Sequence, residues 1–194
     1  MRITLFAVVI AAATVGCSKP NEEPSASEVA NDSDASASVR PLAVVDETLG
    51  AHFNNAFRSG DVCFAGRPAD GGLAAAKDAG VKVVINLLTA PEVESLGFDE
   101  AAQAEAAGLT YVHLPMAAGV TREIVDRFAE TVATNDGDVL IHCGSSNRVG
   151  ALWAAYSALH GGMSKEDALA HGAAAGMKSE KLRANVEALL EDDG

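Results

Sequence analysis

From Leu42 onward, short apolar runs alternate with Ala-rich amphipathic stretches, and the punctuation between them is Gly, Pro and small polar residues. "VCFAG" (62–66) is an apolar run closed by Gly66, Arg67 and Pro68, which predicts a strand and a turn. "GGLAAAKDAG" (71–80) predicts a short helix ended by Gly80. "VKVVINLL" (81–88) is β-branched and continuous, as a strand buried on both faces should be. "FDEAAQAEAAG" (98–108) predicts a helix with acids in its first turn. "LTYVHLP" (109–115) predicts a third strand, stopped by Pro115. Thr121 can cap a helix over "REIVDRFAETVAT", where Ile124, Val125, Phe128 and Val132 form an apolar stripe. "DVLIH" (138–142) predicts a fourth strand, and a helix is expected from about Val149 to His160. Ser164 with Asp167 reads as a capping pair, Gly172 and Gly176 as breaks, and Ser179 as the cap of a last helix to about Leu190. Val44 to Phe57 is weakly periodic and reads as partly helical.

Such alternation predicts an α/β fold: a central, mainly parallel sheet of about four to five strands flanked by helices. The 194 residues, 48% hydrophobic, suffice for one such domain over 41–194.

The first forty residues follow other rules. Arg2 precedes a thirteen-residue run, Ile3 to Val15, apolar but for Thr4 and Thr14. That length suits a signal-peptide core better than a finished membrane span. The run ends Thr14-Val15-Gly16-Cys17, which resembles a bacterial lipoprotein cleavage box. The resemblance implies cleavage before Cys17, a lipid on its sulfur and a domain held outside the cytoplasm, in the periplasm or cell envelope. Ordinary secretion is the rival reading. Residues 18–40 are Ser-rich and acidic, almost without large apolar side chains, and are expected to form a disordered tether. The net charge of −13 makes nucleic acid an unlikely partner. Three Cys (Cys17, Cys63, Cys143) are too few for a disulfide scaffold, and their spacing does not suggest a structural zinc.

The candidate chemistry lies in "VLIHCGSSNRVGALWAAY" (139–156). Ligands of parallel α/β sheets bind at the carboxyl ends of strands, and this loop follows such an end. Gly144, Ser145, Ser146 and Asn147 all tolerate tight turns, so their N–H groups can converge on an anion. The next helix adds its unpaired N–H groups and positive dipole end. That field favours a thiolate at Cys143, and the Arg148 fork suits two oxygens of one phosphate. Positive charge is misplaced at a helix start, which itself argues for an anionic partner of Arg148.

Strand, His142-Cys143, short loop, Arg148 and helix resemble the cysteine-dependent protein tyrosine/dual-specificity phosphatase superfamily. With four residues between Cys143 and Arg148 instead of the commoner five, the loop looks like that of the bacterial beta-lactamase-hydrolase-like, phosphatase-like domain family. "GVKVVINLL", "EAAGLTYVHLPM" and "VTREIVDRF" also look like its body. The resemblance, over about Asp61 to Met177, implies a dual-specificity-phosphatase-like fold. It implies hydrolysis of a phosphomonoester, protein or small molecule, through a phosphocysteine, with no metal or cofactor. Cys143 would attack and Arg148 would grip, with Gly144, Ser145, Ser146 and Asn147 completing the cradle. His142 would orient the loop from behind, or simply be a core residue.

Several positions depart from the pattern. Ser146 replaces a Gly, Gly144 and Leu88 stand where Arg is common, and Val149 replaces a helpful hydroxyl. Met116 to Val120 contains no carboxylate to protonate a leaving group; Glu92, Glu94 and Asp99 are the possible substitutes. Two alternatives therefore stand beside catalysis: a non-catalytic phosphate-binding module, and persulfide chemistry at Cys143. A reversible Cys63–Cys143 disulfide is a further possibility in an oxidising compartment.

Overall fold

The computed structural model describes residues 40–192. The expected signal segment, the expected lipidation site Cys17 and the expected tether up to residue 39 lie outside the described residues. The elements are β1 (Val44–Val45), α1 (Glu47–Gly50), β2 (Phe57–Ser59), β3 (Val62–Ala65), α2 (Gly72–Asp78), β4 (Val81–Asn86) and α3 (Ala90–Glu94). They continue with α4 (Glu100–Ala107), β5 (Thr110–His113), α5 (Arg122–Ala133), β6 (Asp138–His142), α6 (Asn147–Leu159), α7 (Lys165–Ala174) and α8 (Glu180–Asp192).

The sheet has six strands in the order β1-β2-β3-β6-β4-β5. Its four inner and far-edge strands, β3, β6, β4 and β5, are mutually parallel. β1 and β2 add an antiparallel edge. The expected four strands are all present, and the count of four to five is exceeded by this edge. The 44–57 stretch is therefore mostly not helix: only α1 is, capped by the Asp46 carboxylate, which accepts from Leu49 N–H at 3.0 Å. β2 and β3 form a hairpin through Gly60 and Asp61, where Gly60 takes the positive φ (59°) that a two-residue turn demands. Arg40, assigned to the tether, ion-pairs with Asp61 and lies 5.9 Å from the centre of the Trp153 ring.

Three of the parallel strands, β3, β4 and β6, are buried on nearly every position of both faces, which explains their mostly apolar sequences, whereas β5 at the edge of the sheet is only half-buried. Val62, Phe64, Val83, Ile85, Val139 and Ile141 face α5, α6 and α7. Cys63, Ala65, Val84 and Leu140 face the layer of α1, α2 and α4. α6 is buried nearly all round, with Trp153 packed on Phe64 at 5.0 Å between ring centres. Its partner α7 crosses at Gly150 and Gly172. A Cβ on Gly150 would lie 2.3 Å from Gly172 O. Gly172 is thus no helix break but the close-approach point inside α7, whereas Gly176 (φ 108°) does end it.

The expected caps form. Thr121 accepts from Ile124 N–H, Ser164 from Asp167 N–H and Ser179 from Leu182 N–H. In α5, Val125 and Phe128 are buried, and Ile124 and Val132 pack against the same core. β6 sits between β3 and β4, so its carboxyl end opens between theirs, where crevices form in α/β sheets.

Candidate active site

Backbone hydrogen bonds to both neighbouring strand ends hold the loop after β6. Cys143 N–H donates to Ala65 O (3.2 Å), Leu87 N–H to His142 O (2.9 Å) and Arg67 N–H to Gly144 O (3.2 Å). Ser146 then turns the chain into α6. Gly150 N–H donates to Ser146 O at 2.9 Å, the first closed turn of the helix. The N–H groups of Asn147, Arg148 and Val149 precede that bond and have no intrahelical partner. Cys143, 1% exposed, therefore sits between a strand end and a helix start, the placement expected of it.

Ser146 occupies left-handed backbone (φ 66°, ψ −5°), the conformation a Gly would take without strain. Its buried Oγ donates to Ala175 O at 2.8 Å. Space for that side chain comes from Gly176, where a Cβ would lie 2.7 Å from Ser146 Cβ. The substitution of Ser for Gly in the loop is thus matched by a Gly on the facing turn. The Asn147 side chain turns away from the cradle: Oδ1 accepts from Lys178 N–H (2.7 Å) and Ser179 N–H (2.9 Å), tying the start of α8 to the loop. Ser145 accepts from Asn147 Nδ2 at 3.3 Å. Any part Asn147 plays toward an anion falls to its backbone N–H.

Arg148 is held from three sides. Nη1 donates to Met116 O (3.0 Å), Leu87 O (3.3 Å) and Glu92 Oε2 (2.9 Å), and Nη2 donates to Glu92 Oε1 (2.6 Å). Burial works against its charge, but Glu92 and the adjoining Cys143 outweigh that and raise its pKa. Glu92 is set in place by α3, a helix the apolar pattern did not predict. Its Oε2 accepts from Thr89 N–H and Thr89 Oγ1, both at 2.8 Å, as the return half of a capping box. The hydrogen bonds from Arg148, with help from Thr89 N–H, hold the Glu92 carboxyl down at about 2 against partial burial. Glu92 is therefore ionised at neutral pH and carries no proton to give. The sequence did hold the signal: Thr89-Ala90-Pro91-Glu92 is a helix-start signature.

Of the other substitute acids, Asp99 caps α4 by accepting from Ala102 N–H at 3.0 Å, and Glu94 is exposed on α3. Val149 is fully buried and offers no hydroxyl. His113 is structural, its Nε2 2.7 Å from Leu88 O.

His142 points to the opposite side of the loop, into a buried polar cluster. Its Nε2 lies 2.7 Å from Glu100 Oε1, both side chains wholly buried. The N–H direction misses the oxygen, so the contact is close without being a formed hydrogen bond. Asn86 Nδ2 donates to Glu100 Oε2 (2.6 Å) and to Tyr111 Oη (2.8 Å), while Asn86 Oδ1 accepts from Leu88 N–H (2.6 Å). Glu100 reads in sequence as an ordinary first-turn acid of α4, and nothing local marks it as buried.

The two described cysteines are far apart. Cys63 pairs in register with Leu140 on the α2/α4 face, while Cys143 lies three residues further along and on the α6 face. Three residues of strand span about 10 Å, beyond the roughly 7 Å Cα separation a disulfide allows. The geometry excludes the Cys63–Cys143 bridge. Burial pushes the Cys63 thiol up to about 12.

The family described as beta-lactamase hydrolase-like protein, phosphatase-like domain, matches residues 56–160, more than half of the chain. The chain belongs to this family. Beta-lactamase hydrolase-like proteins from two strains of Xylella fastidiosa are each 33% identical to it over 100 residues, which is 50% of this chain and 23% of theirs. The chain thus spans about a quarter of the length of these curated relatives. Among solved structures, the phosphatase-like domain is similar to P. aeruginosa TpbA, with 22% identity and a TM-score of 0.58 over 78% of this chain and 89% of that one. It is also similar to the active form of Tk-PTP, with 23% identity and a TM-score of 0.56 over 68% of this chain and 92% of that one. At these identities the likeness shows the fold, and it is a cysteine-phosphatase fold.

Proposed function

We propose that the domain hydrolyses a phosphomonoester through a phosphocysteine. The carrying observation is Arg148: a guanidinium anchored by two backbone carbonyls at a helix start, beside Cys143. The Cys143 thiolate attacks phosphorus, an S–P bond forms, and the P–O bond to the leaving oxygen breaks, that oxygen taking its proton from solvent water. Arg148 and the N–H groups from Gly144 to Arg148 hold the non-bridging oxygens. Water then attacks phosphorus, the S–P bond breaks, and inorganic phosphate leaves. For phosphate to use the Arg148 fork, the Glu92 carboxylate must give up its place on it. A Cys-to-Ser form of TpbA is known in complex with pTyr, which supports aryl phosphates as the first probes. The test is aryl-phosphate turnover by the full chain. Activity is expected to vanish in Cys143→Ser, and turnover that survives the change would overturn the mechanism.

A non-catalytic oxyanion-binding module is the second reading, and a specific observation favours it. No carboxylate lies between Met116 and Val120, and Glu92 is committed to Arg148. Vanadate binding by calorimetry without aryl-phosphate turnover would select this reading. Sulfane-sulfur transfer to cyanide would select the persulfide alternative instead.

We further propose that Cys17 carries a lipid that holds the domain outside the cytoplasm; the support is the cleavage-box pattern after the apolar run. Among the described residues no helix is long and apolar enough to cross a membrane. Metabolic labelling with a fatty acid should tag the chain and not Cys17→Ser. Equal labelling of both would sink this part of the proposal.

A further inference from the structure

Beside Arg148 a pocket of about 670 Å³ opens between the loop 117–119 and the first turns of α8. Its volume falls in the range of small-molecule sites rather than of a bare phosphate. The charge of its lining is opposite to that of the molecule. The chain carries 27 acidic against 14 basic residues, yet this pocket is lined by two cations, Arg148 and Lys181, and by no carboxylate. Lys181 is exposed and makes no ion pair among the described residues, unlike Lys165, which pairs with Glu191 at 2.8 Å. The remaining lining is the polar Asn185 and the apolar or small Leu182, Ala117, Ala118 and Gly119.

The pocket is built, not incidental. Asn185 clamps its loop wall to α8: Val120 N–H donates to Asn185 Oδ1 at 2.7 Å, and Asn185 Nδ2 donates to Val120 O at 3.3 Å. Gly119 (φ 139°) is needed for this approach, since a Cβ there would lie 2.6 Å from Asn185 Oδ1. The segment that supplies no acid is thereby spent on forming a fixed wall.

We infer that this pocket is a substrate subsite for a small organic phosphomonoester bearing a second anionic group. The phosphate sits at Arg148, the carbon skeleton lies along Leu182 and Ala117–Ala118, and Lys181 receives the second charge. This rests on the phosphate reading of the loop and narrows it to a substrate class. A phosphoprotein, which brings no fixed second anion to that wall, is the competing outcome.

The experiment compares phenyl phosphate with 3- and 4-carboxyphenyl phosphate on the full chain, measuring kcat/KM in the wild type, Lys181→Gln and Lys181→Glu. A carboxylated compound should be preferred by about fivefold, the ceiling for a solvent-exposed charge pair. The preference should fall in Lys181→Gln and invert in Lys181→Glu. A wild-type ratio at or below one, a ratio unmoved in Lys181→Glu, or a phosphotyrosine peptide turned over faster than all three compounds overturns the inference and leaves the phosphatase reading standing. Turnover of none of them sinks the phosphatase reading. Calorimetry on Cys143→Ser then decides the subsite: tighter binding of a carboxylated compound supports it, and equal or absent binding overturns it.

Discussion

Both oxygens of Glu92 are engaged by Arg148, at 2.6 and 2.9 Å, in a forked pair lying against Gly144. The fork that would hold two phosphate oxygens holds two carboxylate oxygens instead. The same carboxylate closes the capping box of α3, so loop, helix and arginine are set by one side chain.

The pH dependence of this pair has a definite sign. The Glu92 carboxyl ordinarily ionises near 4.5 and here is lowered to about 2. Its contribution is therefore fully present above about 4.5 and is lost as pH falls toward 2. Glu92→Gln should be less stable than the wild type at pH 7, by about 1 kcal/mol or less because Glu92 is 38% exposed and screened. The gap should close near pH 2. Urea denaturation of both proteins at pH 7, 4 and 2.5 measures it; a gap that widens in acid contradicts the assignment.

The same substitution should strengthen oxyanion binding. Arg148 keeps Leu87 O and Met116 O as anchors without Glu92, and a competing negative charge is removed. Vanadate should bind Glu92→Gln about fivefold more tightly. Weaker binding would mean that Glu92 positions Arg148 and does not compete for it.

Ser146 and Gly176 should behave as one unit. Gly176→Ala sets a Cβ against Ser146 and places an Ala at φ 108°, and should cost about 2–3 kcal/mol. Ser146→Gly removes backbone strain but also the bond to Ala175 O, so its net effect should stay within about 1 kcal/mol. Combining them should recover the steric part of the Gly176→Ala loss. Additive losses in a double-mutant cycle would show that the two sites do not share this space.

Asn86→Leu should be among the most damaging single changes. It strips one donor from the buried Glu100 carboxyl and leaves Leu88 N–H without its acceptor, at a cost of about 3 kcal/mol or more. Thermal melts report it. A near-neutral result would mean that the cluster behind His142 is reached by water.

Cys63 should resist alkylation by iodoacetamide at pH 8 in the folded chain and react once denatured, since its thiol is buried and raised to about 12. Peptide mass spectrometry after labelling distinguishes the two states. Rapid labelling of folded protein would contradict the burial of β3.

Local pattern was enough for the parallel core. Residues 62–65, 81–86 and 138–142 are mainly apolar because both faces of each strand are covered, 110–113 is a half-buried edge strand, and Thr121, Ser164 and Ser179 cap the helices that follow them. The same local logic placed Cys143, the small loop residues and Arg148 at a strand end and a helix start, because backbone N–H groups and dipoles depend on neighbours in sequence. β1 and β2 escaped it, since strands of two and three residues carry too few positions to show a period.

Partnership across the fold was decided only in three dimensions. Gly172 ends a helix by local rules, yet it lies within α7 because Gly150 of α6 must pass close to it. Asn147 looks like a cradle residue and is instead tied to the start of α8. In the sequence Glu92 reads as a candidate acid and Glu100 as an ordinary helix-start acid, and neither shows its partner. One meets Arg148 across 56 residues and the other lies 2.7 Å from His142, because sheet order brings the end of β6 between those of β3 and β4. The sequence by itself thus determined which residues make the anion-facing loop. Packing over long chain separations decided what each charge in and behind it is paired with, and short-range periodicity carries no record of those separations.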